Sequence, residues 1–160
     1  MADDGLWNEQ VAARYDENSA SMSSPEVLGP TVDFLAELAG EGHALEFAIG
    51  TGRVAVPLAN HGVAVSGIAS SAAMIDQIAG KPGAETIETV VGDMTTTVVD
   101  GTFSLVYLVF NTIGNVRTQE AQVAVFQNAA RHLEPGGHFV VEVGVPDLQR
   151  LPPGETVKPF

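Results

Sequence analysis

Apolar positions repeat along this chain with two periods in turn, one typical of helices and one typical of strands. Residues 28–38 carry apolar side chains on one helical face, between a Ser-Ser-Pro-Glu start and a stop at Gly40. A short apolar strand is predicted over 44–48, followed by a helix near 54–61 that ends at Gly62. Residues 1–22, which precede these elements, are polar and weakly patterned.

The alternation continues through the middle of the chain. The second strand is predicted at 63–68, the helix after it at 72–79, and a β-branched third strand at 86–91. Residues 103–110 form a nearly unbroken apolar run, which is typical of a central parallel strand covered on both faces.

The last predicted elements are a helix capped by Thr118 and a fifth strand over 138–143, with a Glu-Pro-Gly-Gly turn at 134–137 between them. The apolar face of this helix is expected at Val123, Phe126, Ala130 and Leu133. Strands that alternate with helices predict an α/β fold with a doubly wound parallel sheet. Residues 146–160, which are rich in proline, are predicted to be a loop.

Composition narrows the possible functions. The 160 residues are enough for one domain with a buried core, and no apolar run reaches the roughly 18 residues of a membrane span. The start of the chain lacks the basic and apolar regions of a signal peptide, and the chain has no cysteine, so the cytoplasm is the expected location. The net charge of −13 repels phosphate backbones, so nucleic acid is not an expected partner, and the lack of a long apolar run means that a membrane is not one either.

The segment 45–53 carries the most specific chemistry. Its apolar strand brings Glu46 close to a Gly-rich turn that leads into a helix, and glycines there let the backbone approach a ligand closely. The spacing small-x-Gly-x-Gly fits Ala48, Gly50 and Gly52. A dinucleotide fingerprint would instead need a third glycine at 53, where the chain has arginine, so a nicotinamide oxidoreductase is the weakest alternative.

Ligands of open parallel sheets bind beyond the carboxyl ends of the strands. After the Gly-rich turn, the corresponding positions are 67–70, 92–94 and 110–112, which include a Gly-Asp pair and a Phe-Asn pair. With the turn, this pattern resembles the small-molecule branch of the class I S-adenosylmethionine (SAM) dependent methyltransferases over roughly residues 11–147. The resemblance implies a Rossmann-like fold, SAM as cofactor and methyl transfer to a small-molecule acceptor.

The resemblance also divides the chain into a cofactor-covering segment at 1–22, a SAM-binding core at 23–147 and a Pro-rich loop at 148–160. In the family, the turn lies against the methionine part of SAM, an acid after the second strand holds the ribose, and the Gly-Asp pair meets adenine. The cofactor-binding residues implied by position are Tyr15, Glu46, Ala48, Gly50, Gly52, Ala69, Ser70, Met74, Asp93, Met94 and Phe110. Asn111 is the implied substrate contact, and no catalytic base is assigned.

Two residues depart from the family pattern. Ala48 stands where the family has its first glycine, and a positive φ there would cost about 1–2 kcal/mol. Ala69 stands where the ribose-binding acid is expected, and each lost charge-assisted hydrogen bond is worth roughly 1.5–3 kcal/mol. These departures predict that SAM binds weakly or not at all. The alternative function is therefore a non-catalytic relative with a degenerate cofactor site that binds a partner or another ligand.

Length is a third departure, because the family's sheet has seven strands and this chain supplies five. The missing antiparallel hairpin would leave Phe139–Val143 as an exposed apolar edge. We expect either a homodimer that covers this edge or a chain that is part of a longer protein. The four histidines, His43, His61, His132 and His138, share no metal-like spacing and are expected at the surface or at helix ends.

Overall fold

A computed structural model describes residues 5–145 and Gly154 of the chain. Its centre is a five-stranded sheet in the order β3-β2-β1-β4-β5, in which every pair of neighbours is parallel. The strands are β1 (His43–Phe47), β2 (Ala64–Ala69), β3 (Glu88–Val91), β4 (Phe103–Leu108) and β5 (Leu133–Val141). The predicted doubly wound α/β fold is confirmed, because the chain order reverses direction across the sheet between β1 and β4.

Within residues 5–145, five α-helices flank the sheet, together with 3₁₀ turns at Ala20–Met22 and Thr112–Asn115. They are α1 (Glu9–Asn18), α2 (Pro25–Ala39), α3 (Ala55–Asn60), α4 (Ala72–Asp76) and α5 (Gln119–His132). The start and stop signals read from the sequence hold for α2, which has proline in its first turn and Gly40 at its C-cap. None of the helices in the described part of the chain is long and apolar enough to cross a membrane.

The sheet separates two apolar layers. One layer packs α2 and α3 against one face of the strands, and the other packs α5 against the opposite face. All six residues of β4 are buried, which confirms that the unbroken apolar run is a central strand covered on both faces.

The first helix, α1, was not predicted from the apolar pattern. It begins where Asn8 accepts hydrogen bonds from the backbone N–H groups of Gln10 and Val11, a local capping signal. Within α1, whose ten residues are all described, Ala12 alone is buried. The helix therefore has almost no apolar stripe that periodicity could detect.

The predicted apolar face of α5 is wrong. Phe126 is 51% exposed, Val123 is 48% exposed and Ala130 is also exposed, whereas the buried side includes the polar residues Asn128 and His132. The reason is that these two side chains bind the loop that precedes β4.

Asn128 and His132 satisfy backbone groups that no strand or helix pairs. The Asn128 side-chain amide donates to the carbonyl oxygens of Met94 and Thr97, at 2.9 and 2.8 Å. The backbone N–H of Val99 donates to Nε2 of His132 at 2.9 Å. His132, expected at the surface or at a helix end, is the last residue of α5 and is buried at 1% exposure.

The fifth strand, β5, starts earlier than predicted and contains an irregularity. Phe103 pairs with Leu133, but Leu105 pairs with His138, so the predicted turn at 134–137 is absorbed as extra residues within the strand. Among the described strands, β5 has β4 as its one neighbour and its residues 139–141 are half-buried. The expected apolar edge is therefore present, whereas the predicted loop at 148–160 lies outside the described residues apart from Gly154.

Candidate functional site

A cavity of about 330 Å³ opens where the carboxyl ends of the strands meet. Its walls come from the turn after β1, the end of β2, the start of α4, the segment after β4 and the N-terminal region. The lining residues are Trp7, Tyr15, Ala48, Gly50, Ala69, Ser70, Ser71, Met74, Phe110, Asn111, Thr112 and Asn115. Eight of these were expected at the site from the sequence: Tyr15, Ala48, Gly50, Ala69, Ser70, Met74, Phe110 and Asn111.

The Gly-rich turn uses left-handed backbone at three positions. Ala48 and Gly50 both have φ of 57°, and Gly52 has φ of 78°. A side chain at Gly50 would meet nothing closer than the terminal methyl of Met74 at 3.5 Å, so this glycine is required for its φ rather than for space. Gly52 does not line the cavity, because it packs towards Val56 and Ile78 on the other side of the turn.

Glu46 lies beneath the turn and does not reach the cavity. It is 3% exposed, and Tyr107 Oη on the neighbouring β4 donates to its carboxylate at 2.9 Å. Burial raises the pKa of Glu46 to about 8, although Tyr107, the charge of Arg53 and the backbone N–H of Ala55 all act to lower it. Glu46, predicted as a cofactor contact, therefore does not line the cavity and instead joins β1, β4 and the start of α3 under the turn.

The N-terminal region covers one side of the cavity with two aromatic rings. Trp7 and Tyr15 pack edge to face with centroids 5.9 Å apart, and the Trp7 carbonyl accepts a 2.6 Å hydrogen bond from Ser71 Oγ. Burial raises the pKa of Tyr15. Sequence reasoning assigned Trp7 no site role, although a lone tryptophan in a polar segment was the available signal.

Phe110 and Asn111 follow β4 in an unusual conformation. Both are left-handed, with φ of 63° and 55°, which is uncommon for residues other than glycine. The Phe110 N–H donates to a Glu142 carboxylate oxygen at 2.7 Å, and the Asn111 side-chain oxygen accepts from the Gly144 N–H at 3.2 Å. Residues just beyond β5 therefore hold this pair in its strained arrangement.

Arg53 connects the same pair to the N-terminal region. Its guanidinium lies 4.6 Å from the centre of the Phe110 ring, and it donates to the Met22 carbonyl at 3.2 Å. Arg53, which stands where a dinucleotide fingerprint would need glycine, therefore helps to hold the Phe110 wall of the cavity.

Asp93 and Met94, predicted as cofactor contacts, do not line the main cavity. Asp93 borders a second cavity of about 490 Å³, and its carboxylate accepts hydrogen bonds from the N–H and hydroxyl of Thr95 at 2.9 and 2.7 Å. The two cavities share Trp7 and Asn115 as lining residues, so the Trp7 side chain lies at their junction. Met94 is buried and contributes to a small pocket of about 20 Å³.

Ala69 lines the main cavity at the end of β2, where the family's ribose-binding acid was expected. Among the described residues that line this cavity, none carries a carboxylate. The neighbouring hydroxyl of Ser71 already donates to Trp7 and accepts from the Met74 N–H at 3.3 Å. Within residues 5–145, no three His, Cys, Asp or Glu side chains are grouped as metal ligands.

Comparison with known proteins gives one family. The sequence matches the family model described as a methyltransferase domain over residues 44–137, more than half of the chain. It is similar to the CcbJ methyltransferase from Streptomyces caelestis, with 35% identity and a TM-score of 0.76, over 84% of this chain and 56% of that chain. No curated protein sequence matches.

Two further solved structures are similar. The glycopeptide N-methyltransferase MtfA in complex with S-adenosyl-L-homocysteine (SAH) has 25% identity and a TM-score of 0.63, over 69% of this chain and 50% of that chain. DesVI from Streptomyces venezuelae has 27% identity and a TM-score of 0.61, over 73% of this chain and 49% of that chain. The chain thus spans about half the length of the structures it matches.

The buried Glu46 predicts a pH dependence of stability. Its pKa is raised from 4.5 to about 8 on folding, so the folded protein binds a proton that the unfolded chain has lost. The stabilising contribution is therefore complete below pH 4.5 and is lost as pH rises through 8, by at most about 1.4 kcal/mol per unit. Glu46→Gln should abolish this loss, as measured by urea unfolding between pH 5 and pH 9.

Glu88→Gln is the control for Glu46→Gln, because it removes the same charge at an exposed position of β3. We expect Glu88→Gln to follow the pH profile of the unmodified chain. A Glu46→Gln profile parallel to that of the unmodified chain would show that Glu46 titrates normally.

The left-handed Ala48 predicts a stabilising substitution. Glycine removes a backbone cost of roughly 1–2 kcal/mol but adds about 0.4–1 kcal/mol of unfolded-state entropy, so Ala48→Gly should gain about 0.5–1 kcal/mol. Gly50→Ala should lose a similar amount, because its φ is the same and its added methyl meets no close contact. Chemical unfolding measures both changes, and a destabilised Ala48→Gly would contradict the assignment of strain.

Proposed function

Because this chain belongs to the methyltransferase domain family, we propose that it transfers a methyl group from SAM to a small-molecule acceptor. The observation that carries the proposal is the cavity at the carboxyl ends of the strands, bounded by a left-handed Gly-rich turn and covered by Tyr15. The solved complex of MtfA with SAH, a relative at 25% identity, supports the choice of cofactor.

The described residues fit SAM at one end better than at the other. Gly50 presents bare backbone to the cavity, as needed beside the methionine part, and Tyr15 and Met74 supply apolar walls. The ribose end lacks an acid because Ala69 stands there. Asp93, the residue proposed to meet adenine, lies in the neighbouring cavity beyond Trp7. These contacts support binding that is weaker than in a relative with the acid.

SAM would supply an electrophilic methyl group on its sulfonium, so the protein's work is mainly to align donor and acceptor. We assign that work to Phe110 and Asn111, whose left-handed backbone directs this segment along the cavity wall. The Asn111 side-chain oxygen is occupied by the Gly144 N–H, which leaves its amide N–H groups for a substrate. We assign no general base.

A small-molecule acceptor agrees with the acidic charge of the chain, which disfavours nucleic acid. The relative MtfA is named as a glycopeptide N-methyltransferase, and this supports an amine on a natural-product scaffold as the first acceptor class to assay. We also propose that the protein works in the cytoplasm, as supported by the absence of cysteine from the sequence.

Calorimetric titration with SAM and SAH tests the proposal. We expect micromolar binding by the unmodified chain and binding about 10–100-fold tighter by Ala69→Asp, since one charge-assisted hydrogen bond to the ribose is restored. Ala72→Asp is the matched control, because it adds the same charge at an exposed position at the start of α4. It should leave the affinity within a few-fold of the original.

The same titration separates the enzyme from the second candidate, a non-catalytic relative, which Ala69 favours. Binding that appears only in Ala69→Asp would indicate a decayed cofactor site and support the non-catalytic relative. No heat with any variant would contradict SAM as the cofactor of this chain.

We further propose a homodimer through the edge of β5. The edge is continuous with exposed apolar residues of α5, where the Phe126 and Phe139 rings pack edge to face at 5.1 Å. Phe126→Lys should convert the dimer to monomer in light scattering. Val27→Lys, at a similarly exposed residue of α2, should not. A monomer at every concentration of the unmodified chain would contradict the dimer.

A further inference from the structure

Three residues from distant parts of the sequence are joined by a closed ring of hydrogen bonds beside the cavity. Thr51, in the Gly-rich turn, donates its hydroxyl to one carboxylate oxygen of Asp16 at 2.6 Å. Lys81, after α4, donates to the other carboxylate oxygen at 2.5 Å and to the Thr51 carbonyl at 2.7 Å. The ring thus ties α1, the turn and the chain beyond α4 together.

The ring matters because α1 buries little apolar surface of its own. Ala12 is its one buried residue, which provides far less apolar contact than the buried stripe of α2. Hydrogen bonds also hold the N-terminal region before and after the helix, among them Ser71 Oγ to the Trp7 carbonyl and Arg53 to the Met22 carbonyl. Tyr15, which covers the cavity, precedes Asp16 directly.

We propose that Asp16, Thr51 and Lys81 are positioning residues that seat α1, and with it Tyr15, on the cavity. Their separation releases the helix and lets a ligand enter or leave. This inference rests on the proposed function for the identity of the ligand, but the seating of α1 does not depend on it.

The burial of Thr51 makes the ring sensitive to the loss of a member, and the exposure of Lys81 and Asp16 makes it sensitive to salt. Thr51 is 1% exposed, so without Asp16 its hydroxyl would lose its acceptor in a place that water reaches poorly. The Lys81 and Asp16 side chains are 28% and 48% exposed, so added salt screens their attraction. Opening of α1 should therefore become easier as ionic strength rises, which a purely apolar contact would not show.

Hydrogen exchange tests the seating of α1 without any ligand. In Lys81→Met and in Asp16→Asn, the amides of α1 should exchange about 5–10-fold faster, as expected for a lost charge-assisted hydrogen bond that is partly exposed. Amides of β1 and β4 should keep their protection, which distinguishes release of one helix from general destabilisation. Lys81→Arg keeps the charge and the donors and should restore most of the protection.

Glu17→Gln is the matched control, because it removes one negative charge from the exposed side of the same helix. It should leave exchange in α1 unchanged. Unchanged exchange in both Lys81→Met and Asp16→Asn, or an equal effect of Glu17→Gln, would overturn the inference. If a variant also lost protection in β1 and β4, the test would be hydrogen exchange of Lys81→Arg at raised salt. The ring predicts that exchange then becomes faster in α1 alone, and unchanged exchange in α1 would overturn the inference.

Ligand release gives the second readout. Trp7, the only tryptophan, lines the cavity, so its fluorescence can follow SAH dissociation in a stopped-flow mixer. Dissociation should be several-fold faster in Lys81→Met and should accelerate with salt only in proteins that keep the ring. If exchange in α1 is faster in the variants but no protein binds SAH, the inference that the ring seats α1 stands and the proposed cofactor is contradicted. An SAH release rate independent of both Lys81 and salt would overturn the gating role.

Discussion

The site depends on one buried hydrogen bond, between Tyr107 and Glu46 on the two central strands. Without Glu46, the buried Tyr107 hydroxyl would lose its acceptor in an apolar layer, so the pair fixes β1 and β4 side by side at the level of the turn. Arg53 interacts with Glu46 electrostatically and stacks on Phe110. Tyr107, Glu46 and Arg53 thus support the cavity wall, although none of them lines the cavity.

The fold could be predicted from the sequence because its strands are apolar runs bounded by glycines and helix caps. The long, fully buried β4 and the turn after β1 follow from those patterns alone. Helix α1 could not be predicted in this way, since it is held by side-chain hydrogen bonds rather than by an apolar stripe. The face of α5 was wrong for a related reason: Asn128 and His132 are buried to satisfy loop carbonyl and N–H groups, and periodicity treats both as solvent-facing.

Part of the site could be predicted from the rule that ligands of open parallel sheets bind beyond the carboxyl ends of the strands. That rule placed Ala48, Ala69, Phe110 and Asn111 around one cavity, because the carboxyl ends of parallel strands meet at one edge of the sheet. It could not show that Glu46 is buried beneath the turn or that Asp93 borders a second cavity, which shares Trp7 and Asn115 with the main one. Both depend on side-chain packing across segments far apart in sequence, which local spacing does not encode.

The left-handed Phe110 and Asn111 are held by Glu142 and Gly144, which lie just beyond the edge strand β5. A second copy that pairs with that edge, as proposed above, would therefore act on the same backbone that shapes the cavity wall. The two places would then be thermodynamically linked, so a ligand that favours the left-handed arrangement would strengthen pairing at the edge by the same factor that pairing strengthens ligand binding. Assembly state and ligand affinity would form a single reciprocal equilibrium.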